Sequence, residues 1–188
     1  MKASRNSNQE VEIKLAVRDL EDGRRRLRGA GFRVSKRRIF EENTLFDTPG
    51  LKLRKAECLV RVRQAGSRAT ITYKGRPVPS SYKSREELEI AISSAETMAA
   101  ILGRLGLRPV FRYQKHRTEL RQPAGGGVAT LDETPIGAYI ELEGAPAWID
   151  RTAKKLGYSE TDYITASYGR LYLGWCKKNR RTPGDMVF

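Results

Sequence analysis

The chain has 188 residues, 39% of them hydrophobic and 31% charged, and Lys plus Arg outnumber Asp plus Glu by 36 to 22, a net charge of +14. This suits one globular domain with its own core, and the charge points to an anionic partner: nucleic acid, a membrane surface or a polyphosphate. Cys58 and Cys176 are too few for a disulfide framework and lack metal-ligand spacing, and no apolar run approaches the ~20 residues that span a bilayer. Together with a polar Met1–Gln9 stretch that has no signal-peptide core, they read as buried thiols of a cytoplasmic protein without membrane contact.

In chain order, residues 1–9 read as a disordered lead-in. The first strand then puts Glu10, Glu12 and Lys14 on one face and Val11, Ile13 and Leu15 on the other. Asp19 caps a helix that carries Leu20 and Leu27 inward, is weakened by Gly23, and ends near Gly29 and Gly31. A long basic extended segment, Phe32 to Asp47, stops at Thr48-Pro49-Gly50, and residues 51–57 form a basic loop or short helical turn. Leu59–Gln64 and Ala69–Lys74 make a hairpin; the first strand puts Arg61 and Arg63 on one face, and the second groups Thr70, Thr72 and Lys74. A loop from Gly75 to Ser81 has a composition suggesting mobility, and the next strand, Ser84 to Ile92, aligns Arg85, Glu87 and Glu89.

Ser93 with Glu96 reads as the capping box of a helix whose inward stripe is Met98, Ile101, Leu102 and Leu105. Arg108 to Gln122 is a long strand with Lys115, Arg117 and Glu119 on one face and His116, expected to be structural or solvated, on the other. Gly125–Gly127 is a turn, since the Lys and Ser or Thr of a phosphate-binding glycine loop are missing. Two strands follow, Val128–Asp132 and Ala138–Glu143, the second aligning Glu141 with Glu143; Pro146 opens a helix bearing Trp148, Ile149, Thr152, Ala153 and Leu156. A last helix over about Asp162–Lys177 places Ile164, Tyr168, Leu171 and Trp175 at core spacing, and residues 177–188 read as a frayed basic tail.

Charged residues spaced i and i+2 thus recur on strand after strand, as many acids as bases. If those faces lie outside, the apolar faces close on one another as a sandwich or ordinary barrel. If they lie inside, the apolar faces need a cover of amphipathic helices, and the pattern alone leaves both open. Buried charges must be paired, solvated or bound to a ligand. Carboxylates two residues apart can converge on a hard cation such as Mg²⁺ or Mn²⁺, while opposed Lys and Arg hold phosphate oxygens.

The ordered set resembles the CYTH family, the triphosphate tunnel metalloenzymes, which includes class IV adenylyl cyclases, thiamine triphosphatases and inorganic triphosphatases. The family's ExExK is similar to Glu10, Glu12 and Lys14; its RxR to Arg61 and Arg63; its TxK to Thr72 and Lys74; its RxExE to Arg85, Glu87 and Glu89; its KxR to Lys115 and Arg117. The LDxxPxGxxxExE segment resembles Leu131, Asp132, Pro135, Gly137, Glu141 and Glu143, and Phe46–Pro49 with Ser167, Tyr168 and Leu171 add to the likeness. The resemblance implies an α+β fold over residues 10–176: an eight-stranded antiparallel β-barrel with a charged interior, wrapped by helices. It also implies Mg²⁺ or Mn²⁺ on Glu10, Glu12, Asp132, Glu141 and Glu143, and a triphosphate among Lys14, Arg61, Arg63, Lys74, Arg85, Lys115 and Arg117. Glu87 and Glu89 are expected to orient those cations, and Glu10, Glu12 and Lys14 to act catalytically.

Expected activity is hydrolysis of a phosphoanhydride bond in inorganic, nucleoside or thiamine triphosphate. Cyclisation of ATP to cAMP and pyrophosphate ranks second, because Arg5–Gln9 departs from the aromatic lead-in of the cyclases. A non-enzymatic module binding RNA or polyphosphate by basic charge ranks third, since the paired acids would repel phosphates in the absence of metal. The expected partner is therefore a small-molecule triphosphate rather than nucleic acid, and the sequence leaves a homodimer open.

Overall fold

A computed structural model gives the fold and describes residues 9–78 and 80–188. The expected disorder of the lead-in and the Pro79 part of the 75–81 loop lie outside those residues, although Gly75 N–H and Val78 N–H donate back to Glu86 and Ser84. The strands are β1 (Gln9–Val17), β2 (Arg33–Asp47), β3 (Leu59–Ala65), β4 (Arg68–Lys74), β5 (Lys83–Ile92), β6 (Arg108–Arg121), β7 (Gly127–Thr134) and β8 (Gly137–Gly144). They close into an antiparallel barrel in the order β1-β5-β4-β3-β2-β6-β7-β8. The helices are α1 (Leu20–Gly29), α2 (Lys52–Lys55), α3 (Ala95–Arg104), α4 (Pro146–Lys155) and α5 (Tyr168–Lys178).

Closure decides the question that alternation leaves open. Ile13, Leu15, Leu131, Ile140 and Leu142 point out of the barrel and are buried beneath Leu27 of α1 and Trp148, Ile149 and Ala153 of α4. Leu102 and Met98 of α3 cover Phe46, Val62 and Ile71 on the opposite wall. The hydrophobic core is thus a shell between sheet and helices, each fully covered aliphatic side chain contributing about 1.5–3 kcal/mol. The charged faces are left to the lumen.

Several local expectations change. Gly23 is a contact, not a defect: it sits buried in α1, and a Cβ there would lie 2.5 Å from Leu131 Cδ1. Gly23→Ala is therefore expected to lose about 1–3 kcal/mol in urea denaturation through overpacking, although alanine is the better helix former. The α3 cap is Ser94, one residue later than expected, because its side chain accepts from Thr97 N–H; Ile101 and Leu105 rotate outward, Leu105 to 73% exposure.

The last helix begins only at Tyr168, behind the Ser167 cap. Ile164 instead pairs with Lys14 in an isolated antiparallel bridge, its N–H and C=O both engaged at 2.9 Å, which ties the segment before α5 to β1. The C-terminal residues, for which fraying is the expectation, dock on β6: Met186 is buried, donates to Arg112 C=O and accepts from Gln114 N–H. Phe188 and Phe40 both pack against the His116 ring on the barrel's outer side. Cys176 is buried and Cys58 half-buried, both as free thiols.

Candidate active site

The barrel wall brings the paired charges onto one lumen. β1 aligns Glu10 opposite Arg85 and Glu12 opposite Lys83 on β5, with Glu12 also opposite Glu143 and Lys14 opposite Glu141 on β8. This makes an acidic pole of Glu10, Glu12, Glu87 and Glu143. Lys74 Nζ bonds both oxygens of Glu10, at 2.7 and 2.6 Å, and reaches Glu87 at 3.0 Å. Lys14, only 2% exposed, holds Glu12 at 3.1 Å and Glu141 at 3.3 Å. Lys83 also bonds Glu12.

Burial and the neighbouring Glu12 charge push the Glu10 carboxyl up to about 7, against the pull of Lys74. Burial also raises Glu143, helped by Glu12 and Glu87. Burial would raise Glu12 too, but Lys14 and Lys83 hold it well below the usual carboxylate range. Lys83 is lowered by burial and by Lys14 and Arg85 to about 8, against the Glu12 charge.

A basic band faces this pole. Arg117 and Lys115 converge on Asp132, which is fully buried: Arg117 Nε donates to Oδ1 at 2.7 Å, while Lys115 Nζ at 2.8 Å and the Tyr168 hydroxyl at 2.8 Å donate to Oδ2. Arg117 also bonds Glu141. The Tyr168 ring stands 5.2 Å from Lys14 Nζ and 5.1 Å from Lys115 Nζ, a cation–π support for both. Across the lumen, Arg61 donates to Thr72 at 3.0 Å and Glu89 at 3.3 Å, and Arg63 to Asn43 at 3.0 Å. Glu41, held down to about 2 by Lys115, Arg117 and Arg63 despite its burial, neutralises part of the band.

Thus Glu10, Glu12, Glu141, Glu143 and every expected cation line a single cavity of about 110 Å³, whose wall is completed by Leu45, Leu59, Phe111, Tyr113 and Ser167. Asp132 is not among the residues lining this cavity, and its oxygens accept from Lys115, Arg117 and Tyr168. Glu87 contacts Lys74 and Arg61, and Glu89 contacts Arg61. Lys83, Glu41, Asn43 and Tyr113 are lumen residues outside the sequence expectation. Lys83 was readable by stepping two residues back from Arg85; Glu41 and Asn43 were masked by the β-bulges that interrupt β2 between Val34 and Ile39.

The donor chemistry fits both groups expected here. Arg61 Nε, Arg85 Nε and Asn43 Nδ2 are buried hydrogen-bond donors without an acceptor among the described residues, which suits an anion rich in acceptors. Glu143 has no ion-pair partner among the described residues and shares its surroundings with Glu12 and Glu87, so the acidic pole carries repulsion that a hard cation would relieve. No three metal-ligating side chains among the described residues are already gathered for an ion.

A closed barrel whose lumen sets acids against phosphate-type cations defines a polyphosphate tunnel, and the comparisons agree. The CYTH domain model matches residues 8–168, and the chain belongs to the CYTH family. A protein of Methanocaldococcus jannaschii, provisionally named an adenylate cyclase, is 29% identical over 147 residues, 78% of this chain and 83% of that protein. The PH1819 protein of Pyrococcus horikoshii superposes with a TM-score of 0.75 at 24% identity, covering 88% of this chain and 98% of that one. A Hippeastrum protein, provisionally named an adenylyl cyclase and described as having a dominant triphosphatase activity, superposes at 0.65 with 18% identity, covering 93% and 97%. No helix among the described residues is long and apolar enough to cross a membrane.

Proposed function

We propose that the chain is a divalent-metal-dependent triphosphatase that hydrolyses a phosphoanhydride bond of a small triphosphate in the barrel lumen. One observation carries this reading: buried donors of Arg61, Arg85 and Asn43 that lack a hydrogen-bond acceptor among the described residues share one lumen with the mutually repelling carboxylates Glu12, Glu87 and Glu143. The triphosphatase activity of the Hippeastrum protein supports the same choice. Glu10, Glu12 and Glu143, with Glu141 behind them, would hold Mg²⁺ or Mn²⁺, which supplies Lewis-acid polarisation of a phosphoryl oxygen when bound.

Arg61, Arg63, Lys115 and Arg117 bind and orient the phosphate oxygens and neutralise charge on the leaving group. Lys14, Lys74 and Arg85, which line the same lumen, would complete the phosphate-binding set. Glu10, on the wall of the same cavity, is placed to accept a proton from attacking water at a carboxylate oxygen. Asp132 is assigned to positioning: it fixes Lys115, Arg117 and Tyr168. Since proton and cation compete for Glu10, Mn²⁺ affinity is expected to rise as pH climbs through about 7. Titrating Mn²⁺ by its EPR signal across that range checks this; a flat or falling affinity contradicts it.

Cyclisation of a nucleoside triphosphate is the second reading, favoured by the apolar stretch of wall at Leu45, Leu59 and Phe111, which suits an organic group beyond the phosphates. Incubating the protein with tripolyphosphate, ATP and thiamine triphosphate under Mg²⁺ or Mn²⁺, and resolving phosphate, pyrophosphate and cAMP, decides the matter. Orthophosphate is the expected product; cAMP as the main product from ATP replaces the first reading with the second. A cytoplasmic setting goes with this proposal, supported by the two free thiols.

A further inference from the structure

We propose that Lys83 is the resident counter-ion of the acidic pole and becomes a phosphate ligand when a cation takes its place, so that metal and triphosphate are bound cooperatively through this one side chain. The inference rests on the triphosphatase reading and deepens it. Lys83 lies directly across from Glu12 in the β1–β5 register, its side chain is only 9% exposed, and it lines the same cavity as the expected phosphate cations.

Its position differs from that of the other lysines. Lys14 is shared between Glu12 and Glu141, Lys74 between Glu10 and Glu87, and Lys115 between Asp132 and Glu41. Each keeps a carboxylate if one acid is withdrawn. Lys83 has Glu12 as its single ion-pair partner among the described residues.

Lys83 and Lys14 both bond the same oxygen of Glu12, Oε1. A divalent cation drawn to Glu12 must therefore share the carboxylate with two ammonium groups, and the one without alternative support is displaced. Lysine is a compact charge on a flexible four-carbon stem, so the freed ammonium can swing within the lumen. A buried ammonium without a counter-charge is unfavourable, and a triphosphate lying among the neighbouring cations supplies one. The cation thus prepares a phosphate ligand, and the phosphate removes the cation's competitor; this reciprocity is positive coupling between two sites.

The test separates this role from a structural one by the sign of two affinities. With Lys83→Met, which keeps the stem and removes the charge, Mn²⁺ affinity without phosphate, measured by EPR titration, is expected to rise about 3- to 10-fold. Calorimetric affinity for non-hydrolysable imidotriphosphate at saturating Mn²⁺ is expected to fall about tenfold. Lys83→Arg is expected to restore imidotriphosphate binding. Weakening of both affinities marks a merely structural lysine and overturns the proposal, as does Mn²⁺ binding that is unchanged in the variant. If the wild-type protein binds no Mn²⁺ even with imidotriphosphate present, it is the triphosphatase reading that fails. Lys83→Gln provides the same pair of measurements should the methionine variant fail to fold.

Discussion

Glu10→Gln with Glu12→Gln is expected to lower metal-dependent turnover by at least about 10³-fold, because the double change removes cation ligands and the proton acceptor together. The barrel should survive it. Lys74 keeps Glu87 and Lys14 keeps Glu141, while Lys83 and Arg85 each lose their one ion-pair partner among the described residues. Circular dichroism and a urea melt verify the fold; phosphate release with Mg²⁺ or Mn²⁺ measures the effect. A variant that keeps turnover within tenfold of wild type removes Glu10 and Glu12 from the site. The same variant tests the binding-module alternative, since a protein that merely attracts polyanions by charge would hold RNA as well or better after losing two acids, with an affinity that falls steeply with salt.

Asp132→Asn should have the largest effect on stability. The carboxylate is fully buried and serves two cations and a hydroxyl, so its loss leaves Lys115 and Arg117 with only Glu41 and Glu141 to compensate them. Removing one member of a buried ion pair costs about 3–5 kcal/mol. The urea midpoint is expected to fall accordingly, with activity lowered about 10- to 100-fold through displaced phosphate ligands. Tyr168→Phe deletes one donor to the same carboxylate and should cost only about 1 kcal/mol. A fully stable Asp132→Asn protein that has lost Mn²⁺ affinity would return Asp132 to the metal ligands, where the family likeness first placed it.

Much of the site was legible because strand alternation is local. Two residues per repeat are enough to say that Glu10, Glu12 and Lys14 share a face, and likewise Arg61 with Arg63 or Glu141 with Glu143, whatever the rest of the chain does. Local reading failed where the period broke. The bulges before Ile39 shift the facing of β2, so that a count from Arg33 fails: residues 33–40 are exposed, while Glu41 and Asn43, in the regular run that follows, turn inward. At Tyr168 helical spacing rightly places the ring in the core, beside Tyr113 and Met186, but is blind to its polar end. Its apolar ring keeps the period of a core stripe, but its hydroxyl belongs to a strand pair far away in sequence.

The amino-acid sequence by itself therefore determined the strands, the sets of charges that travel together and the likeness to the CYTH family. It could not determine which face of each strand was the interior, for that depends on the sheet closing on itself and on α1, α3 and α4 covering the apolar side. Nor could it assign partners. Glu12 meets Lys83, and Asp132 meets Lys115, Arg117 and Tyr168, across strand registers and helix packing that bring distant segments within about 3 Å, the range of a hydrogen bond. At that range, pairing rather than residue type divides the carboxylates into an anchor for the phosphate band and a pole left for a cation.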